Sequence, residues 1–312
     1  MENLYIAISV MFPLFCMMIL GYFLNHIGMM DKAFAKQLSG LCFNTFLPIL
    51  LFMNIYNSDF YSLFSPKLVV FSMTSVTVAF LVLMAIIPKI VKKDTDKGVV
   101  IQGIFRSNFI LFGVPIMASL YGPENTGTAA IVTAFVIPLF NLYSIIALNI
   151  FAGKDYNKAT LIKKILKNPL IIATVLAFCF AITGIRLPVL VTGVLSDLAG
   201  IATPVALMTL GATFEFGNLK KYKELLSLAV LGKLIIIPGI FVPISIWLGF
   251  TGPALATLMI MFGSPTAVAS FTMAQSVNAN DELAGQIVVI NSLLSIVTIV
   301  GWITVLKNLA LI

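Results

Sequence analysis

Charge is what this chain has least of. Only 10% of its 312 residues are Asp, Glu, Lys or Arg, where a soluble domain carries about a quarter. Such a chain cannot clothe a soluble surface, so a large water-soluble fold is excluded. Histidine occurs once, as His26 near the end of the first apolar run, which removes histidine relays and histidine-ligated metal centres. The three cysteines, Cys16, Cys42 and Cys179, all fall in apolar runs and read as small hydrophobes rather than a disulfide or metal framework. No His-Glu-x-x-His pair, Gly-x-Ser-x-Gly elbow, phosphate loop or Asp-rich metal motif is present. Common enzymatic chemistries, direct ATP drive and any cofactor therefore go unsupported. The start, MENLYIAISVMF, has no basic stretch ahead of its apolar residues, so the first run is expected to stay as a membrane span.

What is there is hydrophobicity: 60% of residues, with a mean hydropathy of +1.08. Apolar runs fall at 3–28, 33–56, 66–90, 98–121, 126–151, 168–185, 188–214, 225–249, 253–276 and 283–308. Each is near the roughly 20 residues that a spanning helix needs. The expected fold is an all-α membrane protein of ten transmembrane helices. The net charge of +7 lies in short connections and does not mark a nucleic-acid partner. Fourteen lysines, from Lys32 and Lys36 through the Lys154–Lys167 cluster to Lys220, Lys221 and Lys223, fall on one side if the N-terminus is outside. Lys67, Arg186 and Lys307 fall on the other. Positive charge collects on the cytoplasmic face, so both termini are expected outside.

The halves of the chain echo each other. Pro13, Gly28 and Pro48 recur 156 residues on as Pro169, Gly184 and Pro204; Pro88, Gly113, Pro115 and Asn141 recur 150 residues on as Pro238, Gly263, Pro265 and Asn291. Residues 1–152 and 168–312 then form two five-helix repeats joined by a basic connector at 153–167. An odd helix count sets the repeats upside down relative to each other. The fourth run holds SNFILFGVP and the ninth holds GSPT. Proline removes a backbone donor and glycine lets the chain bend. Breaks are expected at Gly113–Pro115 and Gly263–Pro265, near the middle of the bilayer. A broken helix in lipid survives only inside protein or against a wet cavity, and paired breaks in two repeats mark a carrier's site. The helix segments after the breaks would aim free N–H groups and positive dipole ends at an anion.

Candidate lining residues are Ser107, Asn108, Ser264, Thr266 and Ser270, completed by Asn141 and Asn291. Asn44, four residues before Pro48, and Thr203 beside Pro204 offer a second wall. Each of these is equally at home as an ordinary intramembrane hydrogen bond or a capped proline kink. Charges within spans are few and informative. Arg106 either attracts the anion or snorkels inward, Lys233 is similar, and Asp197 either carries a coupling proton or pairs with Arg186, Lys233 or a backbone N–H. Asp59 and Glu215 are expected at helix ends in solvent.

The run RSNFILFGVPIMASLYG, Arg106 to Gly122, resembles the fourth-helix signature of the auxin efflux carrier family. Pro13–Leu14, IPLFN at 137–141, KNPLIIA at 167–173 and GSPTAVASFTMAQ at 263–275 extend the resemblance over essentially the whole chain. It implies inverted repeats with the fourth and ninth helices crossing at their prolines. The first, second, sixth and seventh helices would form a scaffold for a moving unit, in a homodimer. It also implies site roles for Asn108, Pro115, Pro265 and Asn141. The connector is far shorter than the long cytosolic loop of many plant members, which implies a bacterial or organellar member, and the compact, lysine-rich chain suits a bacterial inner membrane better.

The function expected is a secondary carrier of small organic anions, carboxylates such as malate or auxin-like acids, with H⁺ or Na⁺ as possible coupling ions. The rival reading is a Na⁺/H⁺ antiporter or sodium-coupled symporter, which wants acidic residues at the crossing. A receptor or enzyme is a third class, marked by response without flux.

Overall fold

The computed structural model describes residues 2–58, 65–122, 126–152 and 158–312. Among them the chain is helical throughout, its one extended pairing being a bridge between Ser107 and Thr266. The helices are α1 (Glu2–His26), α2 (Lys32–Tyr56), α3 (Pro66–Ile90), α4 (Asp94–Phe105), α5 (Phe109–Tyr121), α6 (Gly127–Ala152) and α7 (Lys158–Leu166). They continue with α8 (Pro169–Thr183), α9 (Val189–Thr213), the single turn α10 (Asn218–Lys221) and α11 (Lys223–Trp247). The last are α12 (Gly252–Gly263), α13 (Ala269–Ser276) and α14 (Asp281–Asn308). Seven, namely α1, α2, α3, α6, α9, α11 and α14, are long and apolar enough to cross a membrane; α5, α8 and α12 are shorter and apolar. The apolar runs and the helices coincide to within a few residues. Within α2 and α11 the helix widens to a π segment, at Cys42–Phe46 and Gly232–Ile236, and such a bulge rotates the face a residue presents. Asp59, Lys154 and the start of the connector lie outside the described residues.

Connections gather at two ends. At one, Lys32 pairs with Glu215, Lys221 with Glu282 at 3.0 Å, and Asn280 caps α14 while its amide donates to Asp96 at 2.8 Å. At the other, Lys67 donates to the Leu248 carbonyl at 2.6 Å, Leu187 N–H to the Tyr56 hydroxyl at 2.9 Å, and Gly252 N–H to the Leu311 carbonyl at 2.8 Å.

Packing divides the helices into two groups. In one, α1 lies along α9, and α2 lies against α8 and α9; in the other, α3 to α6 pack with one another and with α11 to α14. The α1–α9 pair is drawn together by glycine. A Cβ on Gly211 would stand 1.9 Å from the Met18 carbonyl oxygen, and one on Gly21 would stand 2.0 Å from that of Met208. Small residues permit such backbone contact between helices where lipid offers no hydrophobic drive.

The repeat pattern is met unevenly. Pro48 and Pro204 sit at like heights in 25-residue helices, and Gly28 and Gly184 both follow a helix end with positive φ, 79° and 68°. Pro13 lies within α1 whereas Pro169 opens α8, and Pro88 lies in the last turn of α3 whereas Pro238 is inside α11. The Pro13–Pro169 and Pro88–Pro238 pairs thus do not mark equivalent heights.

Gly211→Val forces α1 and α9 apart, and overpacking against backbone costs on the order of 3 kcal/mol or more. Purified protein should lose its monodisperse folded peak in size-exclusion chromatography. Gly193→Ala, on the same helix with nothing within 4 Å of its added Cβ, should leave that peak unchanged.

Candidate functional site

The interruptions fall at Arg106–Asn108, between α4 and α5, and at Ser264–Val268, between α12 and α13. The second coincides with Pro265. The first lies five residues ahead of Gly113, a correction to the break expected at Gly113–Pro115. Both Gly113 and Pro115 are inside α5, Gly113 buried against the Phe109 ring and Pro115 exposed. The reason is where the backbone finds substitute partners. A proline inside a membrane helix removes one bond and is tolerated, but a full break must satisfy several groups at once. Ser107 and Asn108 do so by reaching the other interruption.

The two segments run antiparallel. Asn108 N–H donates to the Pro265 carbonyl at 2.8 Å. The Ser107 hydroxyl donates to the Met261 carbonyl near the end of α12, and the Thr266 hydroxyl donates to the Gly103 carbonyl near the end of α4, at 2.6 Å. Each interruption thus caps the other's helix. Around them, Asn291 Nδ2 donates to Thr266 Oγ1 at 2.7 Å, Gln102 Nε2 to the Ser270 carbonyl at 3.0 Å, and Ser264 Oγ to Ile260 of its own helix.

Two cations are buried at this crossing. Arg106 is 4% exposed; its guanidinium donates to Asn141 Oδ1 at 2.7 Å and touches Met273 Sδ. Snorkelling is therefore not its role. Lys233, on the π segment of α11, is fully buried and donates to Ser107 Oγ and to the Phe262 carbonyl. Among the described residues, no carboxylate lies within ion-pair distance of either. Removing a charge from water without a counter-charge is costly.

A cavity of about 70 Å³ opens beside Arg106, room for a handful of waters at ~10–15 Å³ each. Its polar wall is Arg106, Ser107, Asn108 and Asn141, together with the starts of α5 (Ile110, Leu111) and α13 (Ala267 to Ala269). Neither start has a side-chain cap. The Asn108 amide nitrogen is buried without a partner. The facing wall, Leu47, Leu50, Leu51, Leu170, Thr203 and Ala206, is almost wholly apolar and belongs to the other packing group.

Of the sequence candidates, Arg106, Ser107, Asn108 and Asn141 border the cavity, as does Thr203. Pro265, Thr266 and Asn291 hold the crossing together behind it, while Gly263 and Ser264 finish α12. Asn44 is exposed and donates back to the Gly40 carbonyl. The π segment breaks the four-residue spacing that put it on the buried Pro48 face. Asp197 is exposed on α9 and pairs with neither Arg186 nor Lys233. The leucine wall and the burial of Lys233 were not legible as site features, although one lysine within a long apolar run was a signal.

The profile of the membrane transport protein family matches residues 6–303. The chain belongs to that family, the auxin efflux carrier family of the sequence resemblance. It is also similar to a protein of Methanothermobacter thermautotrophicus (strain Delta H) named "Uncharacterized transporter". That protein is 23% identical over 301 residues, covering 93% of this chain and 95% of the relative. This transport family member is an integral membrane protein built of apolar helices, and the transport assignment leaves no call for enzymatic chemistry.

Thr266→Val keeps shape but leaves the Gly103 carbonyl and Asn291 amide unpaired, at about 2–3 kcal/mol. Ser270→Ala removes a buried hydroxyl that has no partner and should be neutral or slightly stabilising. Thermal unfolding in detergent should show the first variant well below the parent and the second at or above it.

Proposed function

We propose that this transport family member is a secondary carrier of small organic anions, moving them by alternating access at the crossing of α4–α5 with α12–α13. Its ten spans are read as two inverted five-helix repeats. The interrupted pair α4–α5 would be the fourth span and α12–α13 the ninth. One observation carries the reading: the cavity lies between the two packing groups, with an arginine that has no carboxylate partner on one wall and leucines on the other. A carboxylate is the group that would complete Arg106, the Asn108 side-chain amide and the uncapped start of α5. The leucines would receive an apolar body, which favours a monocarboxylate with a hydrocarbon portion over a short dicarboxylate. A site seated between two groups of helices is exposed to alternate faces by moving one group past the other.

The rival cation carrier has less support. Among the described residues no carboxylate borders the cavity, and Asp197 faces outward on α9, beside exposed Leu190 and Val194. An acid on a lipid-facing side is costly, so we read this face of α9 as covered by the second chain of a homodimer. The lysine-rich connections support a cytoplasmic position for the end that holds Lys32, Lys97 and Lys221, and we read both termini as lying outside a bacterial inner membrane.

Purified protein screened by thermal shift against lactate, malate, citrate and indole-acetate types should be stabilised by at least one of them. Arg106→Gln and Asn108→Ala should each weaken that ligand by roughly 10-fold or more, while Asp197→Asn should not change it. No response to any carboxylate, or an Arg106→Gln variant that binds as the parent does, would overturn the reading.

A further inference from the structure

Lys233 is unused by the anion site. It does not border the cavity; Ser107 stands between. Its amine is held by two oxygens, one of them a helix-end carbonyl, the ligand type that hard cations take. The amine is wholly enclosed, held at 3.2 Å by the Phe262 carbonyl in the last turn of α12 and bonded to the Ser107 hydroxyl from the opposite interruption. The Phe262 carbonyl is among those a helix end leaves without an internal partner, where the dipole is negative. In carriers built on interrupted helices, unwound carbonyls and half-helix C-terminal ends coordinate the coupling Na⁺ or H⁺. Close packing at Gly232, where an added Cβ would meet the Ile104 side chain at 3.0 Å, and the π segment around it bring the lysine to this point.

We propose that Lys233 is a tethered replacement for the coupling cation, a positioning residue whose ammonium fills the place a free Na⁺ would take between the end of α12 and Ser107. The crossing then closes without Na⁺, and the carrier is sodium-independent. The proposal rests on the carrier reading for its meaning. Its test reads the stability of the ligand-free protein, so a failure of anion binding and a failure of cation replacement appear separately.

Thermal unfolding of the purified chain is followed while Na⁺ replaces choline at constant ionic strength, and again with methylammonium. The parent should be indifferent to the exchange. Lys233→Ala should unfold about 5 °C or more lower in choline and recover at least half of that loss, saturably, in Na⁺ or methylammonium. Lys233→Met, which fills the space, should be destabilised and not recover. An equal loss for Lys233→Ala in every salt, or its absence, would overturn the proposal. So would a parent that Na⁺ itself stabilises, whatever the variants do.

Discussion

Backbone groups cut loose inside a hydrocarbon layer have to be bonded by protein, and everything at the centre of this molecule follows from how that is done. Two helix interruptions are laid side by side so that each supplies what the other lacks. Ser107 bonds a carbonyl near the end of α12, Thr266 bonds one near the end of α4, and Asn108 binds the main chain at Pro265. The exchange uses up the carbonyl ends, while the start of α5, which has no side-chain cap, borders the cavity. A locally necessary repair thereby creates an electropositive recess, and Arg106, fixed by Asn141, deepens it.

The surrounding helices give that recess its place. Glycine contacts weld α1 to α9 through their backbones, making one group of helices stiff. The crossing and its neighbours make the other. The recess belongs to the second group and its apolar cover to the first, so the seam between them is also the ligand's chamber. A hydrogen-bond network among Asn280, Asp96, Tyr222 and Glu282 ties the starts of α4, α11 and α14 at one end, so those helices are held as a unit around the interruptions.

Helix positions were legible because hydrophobicity is what the membrane selects, and the polar run Arg106–Asn108 was visible as an intrusion into it. The location of the first break was not. Gly113 and Pro115 advertise bending, yet a proline costs one hydrogen bond, whereas an interruption is decided by which residues can find partners 150 and more positions away. Asn44 was misplaced for a related reason: a π segment leaves no signature in composition but turns the helix face. Lys233 stood out as a charge within a span, but its partners, like the leucine wall, depend on tertiary proximity. The same is true of Thr266 and Asn291, which look like lining residues in the sequence and serve instead as the frame behind the pocket.

The smallness of the chamber bears on the membrane as a whole. A conducting path requires an unbroken file of solvent from face to face, and about 70 Å³ bordered by leucines holds a few molecules and no file. Small ions that reach this recess meet the buried Arg106 guanidinium, a barrier to cations. Among the described residues, closure around this recess comes from the packing of its leucine wall against the crossing.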